Sequence, residues 1–351
     1  MDIAIEQMRY DRYLASAQDE MPAAKWLRTQ ASRFDLIVAE GFEERSVGFL
    51  ENLAALGSGV GEIVVGRYLT NVEANAKYHA RFEEAVRRLT HGRWRESPMD
   101  VTGHWVDAAL KQLSHESVVI DITGLSTRAL FGVLDAAVRS PRSVTIAYTE
   151  AAEYWPKKSL WRELSRQLDT APTISDVIDE QPWLFGYEHH VELLDGHEGY
   201  DSVGVGRALV GFLPFKSARL AAVLGTEDYK QFIFVAGRPR LLRNRWRLTA
   251  LKTINRDIVK GWPLVELSTF GYRSALRQLA AILYSNDRLM QRYDVHLALL
   301  GSKLQDVACW IASCLIPSIT IVTSVPVRYY PDAFSEGIGA RWVFPLTPPS
   351  G

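Results

Sequence analysis

The segment Asp121-Ile122-Thr123-Gly124-Leu125-Ser126-Thr127-Arg128 places a carboxylate, three hydroxyls, a glycine and a cation within eight positions. It follows the apolar run Val118-Val119-Ile120 and opens a helix-like stretch. Gly124 permits a tight turn. Ser126 and Thr127 are good N-cap residues and good phosphate donors. Arg128 in a first helical turn opposes the dipole unless an anion is present. Asp121, at a strand end, is placed to hold a sugar hydroxyl or a metal. The chemistry is recognition of a phosphate or nucleotide; the plain alternative is a strand-to-helix loop closed by its own cap.

Three further groups invite the same question. Glu40-Gly41-Phe42-Glu43-Glu44-Arg45-Ser46 carries three acids and one arginine. Glu43 and Glu44 suit a helix start for reasons of dipole alone. Alternatively Glu40 or Glu43 joins Asp121 to hold Mg²⁺ or do acid–base work. Tyr148-Thr149-Glu150, Glu153-Tyr154-Trp155-Pro156 and Arg328-Tyr329-Tyr330-Pro331 bring tyrosines beside cations, suited to stacking a base or to packing against a sheet edge. The segment from Arg238 to Arg247 has five arginines and no acid. On a helix Arg240, Arg243 and Arg247 share a face, a phosphate-backbone stripe with Trp246 free to stack, or else an exposed helix paired with distant acids. His189, His190, Glu192, Asp195 and His197 concentrate metal-ligand types without a metal-site spacing. Gly204, Gly206 and Gly211 precede their strand and so make no dinucleotide fingerprint. GxSxG, GxxxxGK[ST] and CxxC motifs are absent.

These loops need a frame. Short Val- and Ile-rich runs, apolar on both faces, predict strands near 35–40, 62–66, 93–97, 117–122 and 143–148. A second set falls near 207–212, 231–236, 263–268, 294–300 and 318–323. Helical patterns alternate with them: 45–56, 71–90, 100–114 and 126–138, then 216–224, 239–258, 272–290 and 303–315. Alternating β and α with short connections predicts doubly wound parallel sheets. Five strands per unit suit a flavodoxin-like order. A strand around His190–Leu194 and an edge strand from the tail 340–346 complete the expectation.

The two sets read as an internal duplication. Ser46 and Ser217 are 171 positions apart, as are Gly66 and Gly237, Arg67 and Arg238, and Ser97 and Ser268. Further on the offset is 175, pairing Thr127-Arg128 with Ser302-Lys303. The expected division is a helical segment over 1–33, a first Rossmann-like unit over 34–156, a connector over 157–205 and a second unit over 206–351, the units packed as a pseudo-dimer. The second unit's counterpart loops supply Lys216 and Ser217, and Ser302 and Lys303, without an acid.

Composition bounds the rest. Of 351 residues, 40 are Lys or Arg and 41 Asp or Glu, a net charge of −1 that argues against an overall polyanion clamp but allows a local basic patch. Two cysteines, Cys309 and Cys314, make neither a disulfide framework nor a metal knuckle. No apolar run is long enough to span a bilayer, and the first residues lack a signal-peptide layout. A cytoplasmic protein is expected, with no membrane partner.

Two resemblances follow from these residues. Thr123-Gly124-Leu125-Ser126 after Asp121 is similar, over about ten residues, to the ribose-phosphate loop of type I phosphoribosyltransferases, which implies phosphate recognition; the second acid of that loop is lacking here. Gly-Phe-Glu-Glu-Arg-Ser at 41–46, the 121–128 loop and the paired units together resemble Rossmann-like nucleotide-sensing proteins of bacterial defence islands, by architecture only. The expectation is a binder of a nucleotide or phosphate ligand, a sensor or effector in antiviral defence. Its contacts are Arg45, Ser46, Thr123, Ser126, Thr127, Arg128 and Tyr148 in the first unit, and Lys216, Ser217, Ser302 and Lys303 in the second. Arg240, Arg243 and Arg247 are available to nucleic acid. The alternatives are a nucleotide hydrolase or phosphoribosyl or glycosyl transferase using Asp121 with Glu43, and a ligand-free subunit of a protein or nucleic-acid complex.

Overall fold

The computed structural model describes residues 3–30, 33–57, 59–90, 94–99, 104–171, 173–174, 177, 189–285, 289–327 and 333–349. Two sheets are present, and the chain divides into two compact units, one around each.

The first sheet is built on β2 (Phe34–Glu40), in which all seven residues are buried. An uninterrupted buried run requires helices on both faces, the condition of a parallel sheet. β3 (Val60–Tyr68) and β4 (Trp94–Met99) follow on one side; β5 (Ser117–Asp121) and β6 (Ser143–Tyr154) follow on the other, all parallel. Numbered within the unit, the order is 3-2-1-4-5, that of dinucleotide-binding sheets, rather than the flavodoxin-type 2-1-3-4-5 expected from five strands. Spacing cannot distinguish the two, because it does not say on which side of β2 each crossover returns. Leu36, Val38, Ile63 and Val65 pack with Phe49, Leu50 and Leu53 of helix Gly48–Leu56 and with Phe82 and Val86 of helix His79–Thr90.

The second sheet repeats the order. β8 (Gly206–Phe212) is flanked by β9 (Tyr229–Arg238) and β10 (Leu264–Ser268) on one side, and by β11 (Tyr293–Ala298) and β12 (Thr320–Pro326) on the other. Helix Ile3–Ser16 belongs to this unit. Its Tyr10 is fully buried, donates from its hydroxyl to the Leu276 carbonyl at 2.8 Å, and meets Tyr284 edge-on.

Both sheets end in an antiparallel strand beside their fifth strand, and the chain exchanges these strands. β7 (His189–Leu193) follows β6 in sequence yet pairs with β12. β13 (Ser335–Pro345) follows β12 yet pairs with β6, and β1 (Met21–Pro22) pairs outside it. One unit is therefore Gln18–Trp155 with Pro331–Pro348, and the other Met1–Ala17 with Pro156–Tyr330 and Pro349–Gly351. The linear boundaries at 33, 156 and 205 differ from this division because a strand's sheet is set by the edge it completes, which the local pattern does not encode.

Two predicted helices are broken. That over 71–90 comprises Val72–Asn75, a 3-10 turn at Ala76–Tyr78 and His79–Thr90. Over 239–258 the chain leaves β9, makes a 3-10 turn at Leu242–Asn244, and becomes α-helical over Trp246–Ile254 and again from Arg256. Pro239, directly after the strand, disfavours helical backbone in the residue before it and supplies no N–H donor.

Candidate functional site

Ligands of open α/β sheets bind beyond the carboxyl ends of the strands, so each sheet has one mouth to consider.

In the first mouth the 121–128 loop is committed to its own closure. Asp121 is 1% exposed. Its Oδ1 accepts from the Thr123 backbone N–H at 2.9 Å and from the Thr123 hydroxyl at 2.5 Å. Thr123 Oγ1 in turn accepts from the Thr149 N–H. Ser126 is the N-cap of helix Thr127–Arg139 and accepts from the Ala129 N–H. The hydroxyl of Tyr68, at the end of β3, accepts the Ser126 N–H and donates to the Gly124 carbonyl. Gly124 lies so close to β2 that a Cβ there would overlap the Ala39 carbonyl, and a Cβ on Gly41 would meet the Gly124 carbonyl at 3.3 Å. The cleft between β2 and β5 is thus closed by backbone. Thr127 and Arg128 are half-buried at the first turn.

The 40–46 bend is equally occupied. Arg45 is 7% exposed and makes a two-pronged ion pair with Glu43 at 2.9 and 3.0 Å. It also donates to the Tyr148 hydroxyl at 3.0 Å and lies over the rings of Tyr148 and Tyr154. Burial works against the guanidinium's charge, but Glu43, Tyr148 and Tyr154 hold its pKa well above the ordinary value. Ser46 donates to backbone carbonyls of Gly41 and Glu43. Glu40 pairs with Arg67 at 2.8 Å and His79 at 3.1 Å. Glu40, Glu43 and Asp121 therefore hold three different sets of partners. Among the described residues no cluster of three His, Cys, Asp or Glu has the geometry of a metal site.

The Glu40–Arg67–His79 group was not expected as a unit. Its residues come from two strand ends and a helix start, and nothing in the sequence near His79 marks it.

The second mouth differs in charge. Ser302 N-caps helix Lys303–Leu315 in a capping box with Gln305, and its hydroxyl donates to the Thr269 carbonyl at 2.8 Å. Structurally Ser302 matches Ser126 rather than Thr127, one residue from the expected pairing. Lys303 follows at the first helical position. Lys216 and Ser217 begin helix Ser217–Leu224 after β8. Arg238, Arg240 and Arg243 are exposed beyond β9. Arg240 lies over the Phe270 ring at 4.8 Å, and Arg247 over Phe215 at 4.4 Å while donating to the Pro156 carbonyl. Arg240 and Arg243 precede the α-helix that contains Arg247, so the single-face stripe does not form. Trp246 stacks on Trp161 with centroids 6.5 Å apart and so serves packing. The 213–219, 238–247, 269–273 and 299–303 loops beyond β8 to β11 contain nine Lys or Arg and no Asp or Glu. In the first mouth, the 41–47, 67–73 and 122–128 loops hold three of each sign.

The Arg328–Pro331 aromatic group lies outside the described residues. His190 pairs with Glu192 at 3.0 Å, and His197 meets the Ser313 hydroxyl in the core. Cys309 is buried. No described helix is long and apolar enough to cross a membrane.

No family model matches the chain, and no curated protein does. Among solved structures it is similar to one described as a type III CRISPR defence DNA nuclease activated by cyclic oligoadenylate, with a TM-score of 0.47 and 11% identity over 80% of this chain and 63% of that one. The chain thus spans less than two thirds of that structure's length. It is also similar to a universal stress protein from Archaeoglobus fulgidus DSM 4304, with a TM-score of 0.23 and 11% identity over 82% of this chain and 95% of the other. Neither likeness bears on function.

Proposed function

We propose that the chain binds a nucleotide ligand through its phosphates, and that the principal contact is the mouth of the second sheet. The observation that carries this reading is the run of nine cations without an acid across its four loops, in a chain whose overall charge is near zero. Local positive potential at the carboxyl ends of strands, beside helix N-termini, is the environment that phosphates select. Lys216, Ser217, Ser302 and Lys303 supply donors near the strand ends, and Arg240, Arg243 and Arg247 an outer rim. The first mouth, with its carboxylates and closed cleft, plays a supporting part, with Thr127 and Arg128 as its remaining contacts. A hydrolase or transferase built on Asp121 draws no support from a carboxylate buried within a turn. The duplication of the two units is part of the same proposal, supported by their common strand order and matching N-caps. So is a role as sensor or effector in bacterial defence, which rests on the resemblance at 41–46 and 121–128; deleting the gene should then lower resistance to phage.

The test is anisotropy of a fluorescein-labelled single-stranded oligonucleotide, with ATP as competitor, over a salt series. Each phosphate contact contributes a slope of about 0.7 in log K against log salt for single strands. The Arg240→Gln/Arg243→Gln double variant should lower the slope by about 1.4. An unchanged slope and affinity would refute the assignment of this mouth.

A further inference from the structure

The helix Ile3–Ser16 carries its polarity inverted at its first turns. Its covered face is Glu6, Tyr10 and Tyr13, spaced as one side of a helix and continued by Ala17, and all four are buried. Glu6 is only 2% exposed, while Ile5 and Met8 on the outer side are 45% and 53% exposed. An acid thus stands where the stripe calls for an apolar side chain. The helix packs on Tyr272–Ser285 and on Lys303–Leu315. Its anchors lie beyond the first turn: the Tyr10 hydroxyl donates to the Leu276 carbonyl, and Arg273 donates to the Leu14 carbonyl at 3.0 Å.

Glu6 lacks compensation in that seam. Its Oε1 is buried with no hydrogen-bond partner among the described residues, and so is the hydroxyl of Tyr284. Tyr284 meets Tyr10 edge-on, one turn along from Glu6, and feels the Glu6 charge. Burial raises the Glu6 pKa above its ordinary 4.5, against the amino terminus and Arg9, which lower it. The other titratable groups at the seam are no remedy. Tyr284 is held protonated by burial and then by the charges of Glu6 and Asp11. Cys309 and Cys314 of helix Lys303–Leu315 stand near Tyr10 and Tyr13, and burial keeps Cys309 a thiol. A buried carboxylate without a partner costs more than the neutral acid. Proton binding and helix docking are therefore linked. Below pH 4.5 the acid is neutral whether the helix is docked or free, and the seam keeps its full strength. As pH rises through the higher docked value, ionisation opposes docking and that strength is lost.

We propose that the first turns of helix Ile3–Ser16 form a proton-linked latch on helix Tyr272–Ser285, closed when Glu6 is neutral and loosened when it is ionised, with Tyr10 as the anchor from which the segment opens. The latch is independent of the phosphate-ligand reading above.

The experiment follows amide hydrogen exchange of the full chain by mass spectrometry, comparing each variant with wild type at the same pH so that the intrinsic rate cancels. At pH 7.5, exchange over 3–16 should be at least about threefold slower in Glu6→Gln than in wild type, with exchange over 303–315 unchanged. Towards pH 4.5 the difference should close. Tyr284→Phe should keep both the wild-type rate and its pH response, since it removes a hydroxyl that has no partner in the seam. Glu6→Leu, which should slow exchange in the same way, supplies the answer if Glu6→Gln does not fold. Exchange in the folded Glu6 variant as fast as wild type or faster at pH 7.5, or a difference that persists undiminished at pH 4.5, would overturn the latch. So would a loss of the pH response in Tyr284→Phe, because the hydroxyl would then be the partner of the carboxylate.

Discussion

Arg45 illustrates how a side chain suited to anions can be claimed by the fold. Its guanidinium is enclosed by Glu43, Tyr148, Tyr154 and the Thr149 carbonyl. Removing one partner of a buried ion pair strands the other. Arg45→Met should therefore cost about 3–5 kcal/mol in urea unfolding while oligonucleotide affinity in still-folded protein stays unchanged. Gly124→Ala should cost about 1–3 kcal/mol by overpacking, since its Cβ would meet backbone that cannot step aside. Lys216 behaves differently. Its pKa is lowered from 10.5 to about 8, so below pH 8 both folded and unfolded chains carry the proton and the cost of the buried charge is fully present. Between about pH 8 and 10.5 the folded chain gives up the proton first, and the cost is relieved. Wild-type stability measured relative to Lys216→Met should accordingly rise across that window. At this scale the sequence marks loops by their chemistry without separating a ligand contact from a turn's own closure. Asp121, Thr123 and Ser46 have the chemistry of ligands and the same chemistry as turn-formers; only the distances to Thr149 and Gly41 separate the two.

Elements were more legible than residues. The apolar runs at 35–40, 117–122 and 207–212 correspond to strands because a strand buried on both faces must be continuous in Val, Ile and Leu, and that pattern is local. The helix after Ser302 was legible from its pattern over 303–315, and the structure adds a capping box between Ser302 and Gln305. Ser302→Ala should cost about 1 kcal/mol, measured as a shift in the urea midpoint, with a further loss from the Thr269 contact. The 239–258 stretch was misread because its leucines and arginines recur at helical intervals, yet Pro239 and the exit from β9 delay the helix to Trp246. Strand order and the fate of β7 and β13 were not legible, since both depend on which edge lies open elsewhere in the chain.

For the molecule as a whole, one mouth is basic and the other mixed although the net charge is −1. That separation, rather than the total, should govern the salt dependence of ligand association. The exchanged edge strands bear on how the chain is made. When a ribosome has released β6, its outer edge has no neighbour, because β13 is encoded beyond β12. Until Ser335–Pro345 has been made, the growing polypeptide carries an open row of amides and carbonyls, an invitation to aggregation that a chaperone or a charged surface must answer. A fragment of residues 18–155 made alone should remain poorly dispersed in NMR, and a synthetic 331–348 peptide should restore it. Messages cut short between β12 and β13 would thus release polypeptides whose damage lies in the first sheet, nearly two hundred codons upstream of the break.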